Sequence, residues 1–250
     1  YGRCLVLGSV PMVTETTAPS EGVAQEGEGV SDAERARGVT AGIAAYSLWG
    51  VFPLVFHQVR DVASLEVLLH RIIWSFVVVV AVLAVRRNRA WVEVLRRPSP
   101  DRARLAAAAV CISVNWLVYV WAVSQGEVVQ AALGYYVNPL LTVALGVVLL
   151  GEHLRRLQVL ALGFGIVAVV VLTVADGQVP WIALVLAASF GSYGFLKKAV
   201  PVPASTSLAV ETAILLPIAL VGVAAYQITG AASFGHGTVK QDALLVSLGV

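Results

Sequence analysis

Long apolar runs, separated by short polar or charged segments, make up most of the chain after residue 38. Seven of these runs approach the roughly 20 residues that a membrane-spanning helix needs. They lie at residues 39–56, 64–85, 105–124, 130–150, 157–174, 181–195 and 207–228. Apolar residues are continuous within each run rather than alternating, so the pattern predicts an all-α bundle of transmembrane helices and not a transmembrane β-barrel.

An eighth apolar run begins at Ala243, close to the last residue, Val250. About eight apolar residues are too few to span a bilayer. We therefore expect the natural reading frame to encode about 50 further residues, which would complete helix eight and add two more helices.

The composition agrees with a membrane protein. Hydrophobic residues make up 58% of the chain and charged residues 13%, whereas a soluble domain has about 25% charged residues. Residues 1–38 differ, because Glu, Gly, Ser and Thr dominate after Thr14. Such a segment cannot bury a core, and we predict a disordered cytoplasmic tail, with a capping-box pattern at Ser31 and Glu34 leading into the first helix.

The basic residues are distributed unevenly between the loops. Fourteen of the seventeen Lys and Arg residues fall on one side of the predicted membrane, seven of them in the loop between residues 86 and 104. Arg60 and Lys240 fall on the other side, and Arg71 lies within a span. The positive-inside rule places the N-terminus in the cytoplasm. We interpret the basic loop as an orientation signal and expect no nucleic-acid partner.

Polar side chains inside the predicted spans are the candidate functional residues, because they usually face other helices or a wet cavity. Asn115 and Asn138 lie near the midpoints of the third and fourth spans. The second span carries Glu66, His70 and Arg71. Two interpretations of Arg71 stay open. Either it snorkels or pairs with Glu66 only to hold helices together, or it faces a substrate or proton path.

The sequence predicts one central cavity with aromatic walls, which suits a small amphipathic molecule. We expect Arg71, Asn115 and Asn138 to converge there with aromatic residues from several helices. The full candidate set is Trp49, Glu66, His70, Arg71, Asn115, Trp116, Tyr119, Tyr135, Asn138 and Tyr193. Glu66 and Glu211 are candidates for coupling transport to protons. Two cysteines without metal-ligand spacing, Cys4 and Cys111, predict neither a disulfide nor a metal site, and no cofactor is expected.

Weak internal similarity suggests an inverted repeat. The segment at residues 47–50 recurs at 192–194, and that at 63–65 recurs at 204–206. We therefore expect one five-helix unit at residues 39–175 and an incomplete second unit at 180–250. Inverted repeats are common in secondary transporters, whose substrate sites lie between the two copies.

Six segments together resemble the RarD-type permeases of the drug/metabolite transporter superfamily, which are built of EamA domains. They lie at residues 42–53, 66–75, 115–123, 133–140, 151–154 and 189–197. The resemblance implies ten helices in two repeats, no ATP site and a small-molecule substrate. RarD proteins are linked by name to chloramphenicol sensitivity.

These observations predict a multi-pass secondary transporter in the inner or plasma membrane, working as an exporter. No Walker A pattern is present in the sequence, so ATP hydrolysis is not expected. Two alternatives are kept. One is a non-transporting membrane subunit whose polar residues only hold helices together. The other is an intramembrane enzyme that would use Glu66, His70 and Asn115.

Overall fold

The computed structural model describes residues 32–96, 99–151 and 154–249. Every regular element within these ranges is an α-helix. The helices are α1 (Asp32–Gln58), α2 (Ser64–Val85), α3 (Ala90–Arg96), α4 (Pro100–Ser124), α5 (Val128–Leu150), α6 (Arg156–Asp176), α7 (Trp181–Lys198), α8 (Ala204–Ile228) and α9 (Val239–Ser247).

The chain forms two compact units, Tyr1–Tyr46 and Ser47–Val250. Of the first unit, the structure describes residues 32–46, which are helical. Residues 32–38, which the predicted tail included, belong to α1, and the rest of that tail lies outside the described residues. Ser31, with its predicted cap, lies outside the described residues. The second unit contains the remaining helices and all of the candidate site residues.

Four described segments are long and apolar enough to cross a membrane: Arg35–Gln58 in α1, and the whole of α2, α4 and α8. Shorter apolar segments occupy α5 (Val128–Ala144) and α6 (Arg156–Val171). The helix α7 has 18 residues and ends on Lys197 and Lys198. This arrangement confirms the prediction of an all-α membrane helix bundle.

Local capping explains where the predicted and observed boundaries differ. The helix α4 begins five residues before the apolar run at Leu105, because Ser99 caps it and Pro100 occupies its first turn. The Ser99 hydroxyl accepts a hydrogen bond from the Arg102 backbone N–H at 3.2 Å. The helix α5 ends at Leu150, as predicted, and Gly151 follows it with a left-handed φ of 65°, which favours glycine after a helix C-terminus.

The short helix α3 lies in the basic loop and was not predicted. Its Trp91 packs against two apolar clusters, one containing Leu83 and the other containing Leu105 and Val210. Seven residues are too few for hydropathy to reveal a helix. Burial of one aromatic ring against α2, α4 and α8 anchors α3 instead.

The helix α7 packs against both α4 and α5, and α8 packs chiefly against α2. Gly134 permits the close approach of α5 to α7, because a Cβ atom there would lie 2.9 Å from the Cβ of Leu186 and 3.1 Å from the carbonyl oxygen of Ala183. Gly165 likewise approaches the side chain of Leu140 on the neighbouring α5. Both glycines therefore serve helix packing.

Candidate functional site

A cavity of about 90 Å³ lies between α2, α4, α7 and α8. Its polar lining includes Arg71 from α2, Tyr193 from α7 and Glu211 from α8. Trp116 from α4 and several aliphatic side chains complete the wall. Ligand pockets for drug-sized molecules are usually about 300–1,000 Å³. The cavity in this conformation is therefore narrow and would have to widen around such a molecule.

Arg71 is held on two sides without an acidic partner. Its Nη1 donates to the carbonyl oxygen of Leu248 at 2.7 Å, just beyond α9. The guanidinium carbon lies 3.7 Å from the centre of the Trp116 ring, which places the cation over the aromatic face. The ion pairs among the described residues are Arg60–Asp61, Arg104–Asp101 and Lys197–Glu211. The predicted alternative in which Arg71 clamps Glu66 is therefore wrong.

Glu211 belongs to a polar cluster on the opposite side of the cavity. Its Oε1 lies 3.0 Å from Lys197 Nζ and also accepts a hydrogen bond from the Ser207 hydroxyl. Lys197 donates to the Tyr193 hydroxyl at 3.0 Å. Only 3% of the Glu211 side chain is exposed, against 24% for Lys197. A carboxylate this deeply buried requires its cation, so the pair neutralises this side of the cavity.

Aromatic rings continue from the cavity into the bundle. Trp116 contacts Tyr119 with ring centres 5.7 Å apart, and Tyr119 contacts Tyr135 at 6.0 Å. Phe190 then links Tyr135 to Tyr193, at 6.4 and 6.1 Å. The row of rings thus connects four of the predicted aromatic residues, Trp116, Tyr119, Tyr135 and Tyr193. Of these four, Trp116 and Tyr193 line the cavity itself.

Glu66 and His70 lie apart from the cavity, under the loop that joins α8 to α9. Glu66 Oε1 accepts hydrogen bonds from the backbone N–H groups of Ser233 and Phe234, at 2.8 and 3.0 Å. The Phe234 ring stacks on His70 with centroids 4.5 Å apart. Among the described residues, Glu66 Oε2 and His70 Nε2 have no hydrogen-bond partner. This pair holds a loop in place and does not face the cavity.

Asn115 also points away from the cavity. Its side-chain amide donates to the Leu186 carbonyl oxygen at 3.0 Å and to the Ser189 hydroxyl at 3.1 Å, both on α7. The helix α7 packs against both α4 and α5, and Asn115 binds α7.

The structure does not place Asn138 or Trp49 in the cavity lining. The Asn138 side chain is half-buried, and its oxygen is a buried acceptor without a hydrogen-bond partner in the described part of the chain. Trp49 is 50% exposed. Trp49, Asn115 and Asn138 are thus not among the residues that line this cavity, and their convergence on one substrate path stays a prediction.

Lys197 and Ser207 were missed by sequence reasoning. Lys197 was counted as a loop charge that reports orientation, because it ends an apolar run. Two spacings could have revealed the cluster. Tyr193 and Lys197, and Ser207 and Glu211, are each four residues apart and so share a helix face. Neither spacing predicts that Lys197 on α7 contacts Glu211 on α8.

The model of the EamA-like transporter family matches residues 36–174. The chain belongs to the EamA-like transporter family. That family match covers all of α2, α3, α4 and α5 and most of α1 and α6, and thus two of the four helices that line the cavity.

Relatives of this EamA-like chain are named as RarD proteins or transporters. Protein RarD of Streptomyces exfoliatus is 41% identical over 217 residues, which is 87% of this chain and 69% of the relative. Uncharacterized transporter PA0485 of Pseudomonas aeruginosa is 42% identical, over 74% of this chain and 62% of the relative. Protein RarD of Escherichia coli is 37% identical, over 88% and 74%. No solved structure matches the chain.

Proposed function

We propose that this protein is a RarD-like secondary transporter that exports a small amphipathic molecule through the cavity between α2, α4, α7 and α8. The main supporting observation is a cavity lined by Arg71, Trp116, Tyr193 and Glu211. Three of the four helices around it, α2, α4 and α8, are long and apolar enough to cross a bilayer. Buried ionisable groups within spanning helices usually mark a substrate or ion path. Family membership supports transport over the intramembrane enzyme.

The inverted repeat belongs to the same proposal. The helices α2 and α8 pack against each other, and each carries a cavity-lining ionisable residue seven positions after its first residue, Arg71 and Glu211. At a rise of 1.5 Å per residue, these residues lie about 10 Å from the starts of their helices. Two packed helices with related positions facing one cavity are expected if α2 and α8 are repeat equivalents.

The transport proposal is tested with the natural full-length protein in liposomes. Two amphipathic probes are loaded. One is neutral chloramphenicol, which appears in the name of a relative, the chloramphenicol-sensitive protein RarD of Pseudomonas aeruginosa, and the other is benzenesulfonate, a permanent anion. We expect at least one probe to leave these vesicles at least fivefold faster than protein-free vesicles. Arg71→Gln should reduce that protein-dependent release about tenfold. Release of both probes at the protein-free rate would contradict the proposal and favour a non-transporting membrane subunit.

Arg104→Gln is the matched control, because it removes the same charge from an exposed residue that pairs with Asp101 at the start of α4. Its release rate should equal that of the parent. If Arg71→Gln and Arg104→Gln reduced the release rate equally, the net charge of the protein, rather than the position of Arg71 in the cavity, would determine release. Vesicles sorted by orientation then test the export direction.

We also propose that the N-terminus lies in the cytoplasm of the cell and that the protein sits in the inner or plasma membrane. The asymmetry of the basic residues supports this orientation. In a background lacking Cys4 and Cys111, Arg60→Cys and Gln178→Cys should react with a membrane-impermeant maleimide added to intact cells. Arg96→Cys should react only after lysis. Labelling of Arg96→Cys in intact cells, with protection at Gln178→Cys, would reverse the orientation.

A further inference from the structure

The charges that line the cavity do not cancel. The ionisable side chains in its lining are Arg71, Tyr193 and Glu211. The Glu211 carboxylate is neutralised by Lys197 at 3.0 Å. Arg71 is in none of the ion pairs of the described residues, and its polar contact there is a neutral backbone carbonyl. The lining therefore retains one net positive charge.

An arginine inside a spanning helix is costly. The cost of inserting a charged residue is greatest near the centre of a spanning helix, and Arg71 lies about 5 Å from the middle of α2 at a rise of 1.5 Å per residue. The cation–π contact with Trp116 offsets only part of this cost. The remaining cost falls when an anion enters, so Arg71 favours an anionic occupant.

The Arg71 guanidinium also has N–H donors beyond the one that binds the Leu248 carbonyl oxygen. An arginine side chain has five N–H donors, and an oxyanion with two accessible oxygens can accept two of them in parallel. The Leu248 carbonyl takes one Nη1 donor. The adjoining wall offers the Trp116 ring and the aliphatic side chains of Leu68, Ile72 and Leu215. These neighbours match a ligand that joins one anionic group to an apolar or aromatic body.

From this arrangement we infer that the substrate class is a small amphipathic monoanion, whose carboxylate or sulfonate binds Arg71 while its apolar body packs against α2, α4 and α8. This inference rests on the proposed transport function and names its ligand. A cation is disfavoured, because it would meet Arg71 while the only carboxylate in the described lining is already paired with Lys197.

Binding of three probes of nearly equal size tests the charge preference. They are benzenesulfonate, neutral benzenesulfonamide and the cation phenyltrimethylammonium. Dissociation constants are measured by equilibrium dialysis with the purified full-length protein in detergent. We expect benzenesulfonate to bind at least tenfold more tightly than either of the others. Benzenesulfonate binding that is no tighter than benzenesulfonamide binding, or no binding at all, would overturn the inference without use of any variant.

Two variants assign the preference to Arg71. Arg71→Gln should bring the sulfonate-to-sulfonamide ratio close to one, whereas Arg71→Lys, which keeps the charge and loses the planar fork, should retain part of it. A ratio that survives in a monodisperse Arg71→Gln protein overturns the assignment. The vesicle-release experiment tests transport separately from binding. If the protein binds benzenesulfonate selectively but releases no probe from vesicles, the binding inference holds and the transport proposal is contradicted.

Discussion

Replacing Glu66 by alanine should destabilise the protein by about 3 kcal/mol, because hydrogen bonds to charged groups contribute about 1.5–3 kcal/mol each. Glu66 is 1% exposed, and its carboxylate binds two successive backbone N–H groups, those of Ser233 and Phe234. Without Glu66 both donors lose their acceptor. The free energy of unfolding in mixed detergent micelles measures the loss.

Exchange of backbone amides gives a local measurement of the same change. In Glu66→Ala, peptides covering residues 229–238 should exchange hydrogen about 100-fold faster, since about 1.4 kcal/mol corresponds to a factor of ten. Glu66→Gln keeps an acceptor oxygen and should lose less stability. Glu127→Ala is the control, because Glu127 is exposed and its carboxylate bonds only the Gln130 side chain among the described groups. Unchanged exchange in Glu66→Ala would show that Glu66 does not hold the loop.

Breaking the Lys197–Glu211 pair should also have a large effect. Removing one partner of a fully buried pair costs about 3–5 kcal/mol, because the other charge stays buried without compensation. Lys197 is 24% exposed, so water screens part of this cost, and Lys197→Met should lose about 2–3 kcal/mol. The free energy of unfolding of the purified protein is again the measurement.

A second substitution distinguishes the lost pair from lost packing. Lys197→Met combined with Glu211→Gln removes the uncompensated charge and keeps an acceptor for Ser207, so at least half of the lost stability should return. The neighbouring exposed residue provides the control variant, Lys198→Met, which should change stability little. A double variant as unstable as Lys197→Met alone would show that Glu211 is not left charged and buried.

The hydropathy pattern determined the helices. It placed α2 at residues 64–85 and the ends of α4, α5 and α8 at 124, 150 and 228, where the structure has them. This success has a local cause, since a helix satisfies its backbone hydrogen bonds within its own segment and the bilayer sets its length. The pattern missed α3 because that helix is anchored by the Trp91 ring against other helices rather than by its own apolar length.

Sequence also identified which residues are chemically unusual, but only the tertiary structure decided their partners. Glu66, Arg71, Asn115 and Glu211 were each singled out as polar groups in apolar spans. Asn115 binds α7, which inserts against α4 and α5, and Glu66 binds a loop 167 residues away along the chain.

The charge of the cavity likewise depended on tertiary structure. Arg71 lacks an acidic partner among the described residues, whereas Glu211 has Lys197, because α7 and α8 bring that lysine to the buried carboxylate. Hydropathy and spacing report the cost of placing each polar group in a membrane. Which contact offsets that cost depends on the direction of each side chain and on which helix packs against it, and both are set by long-range packing.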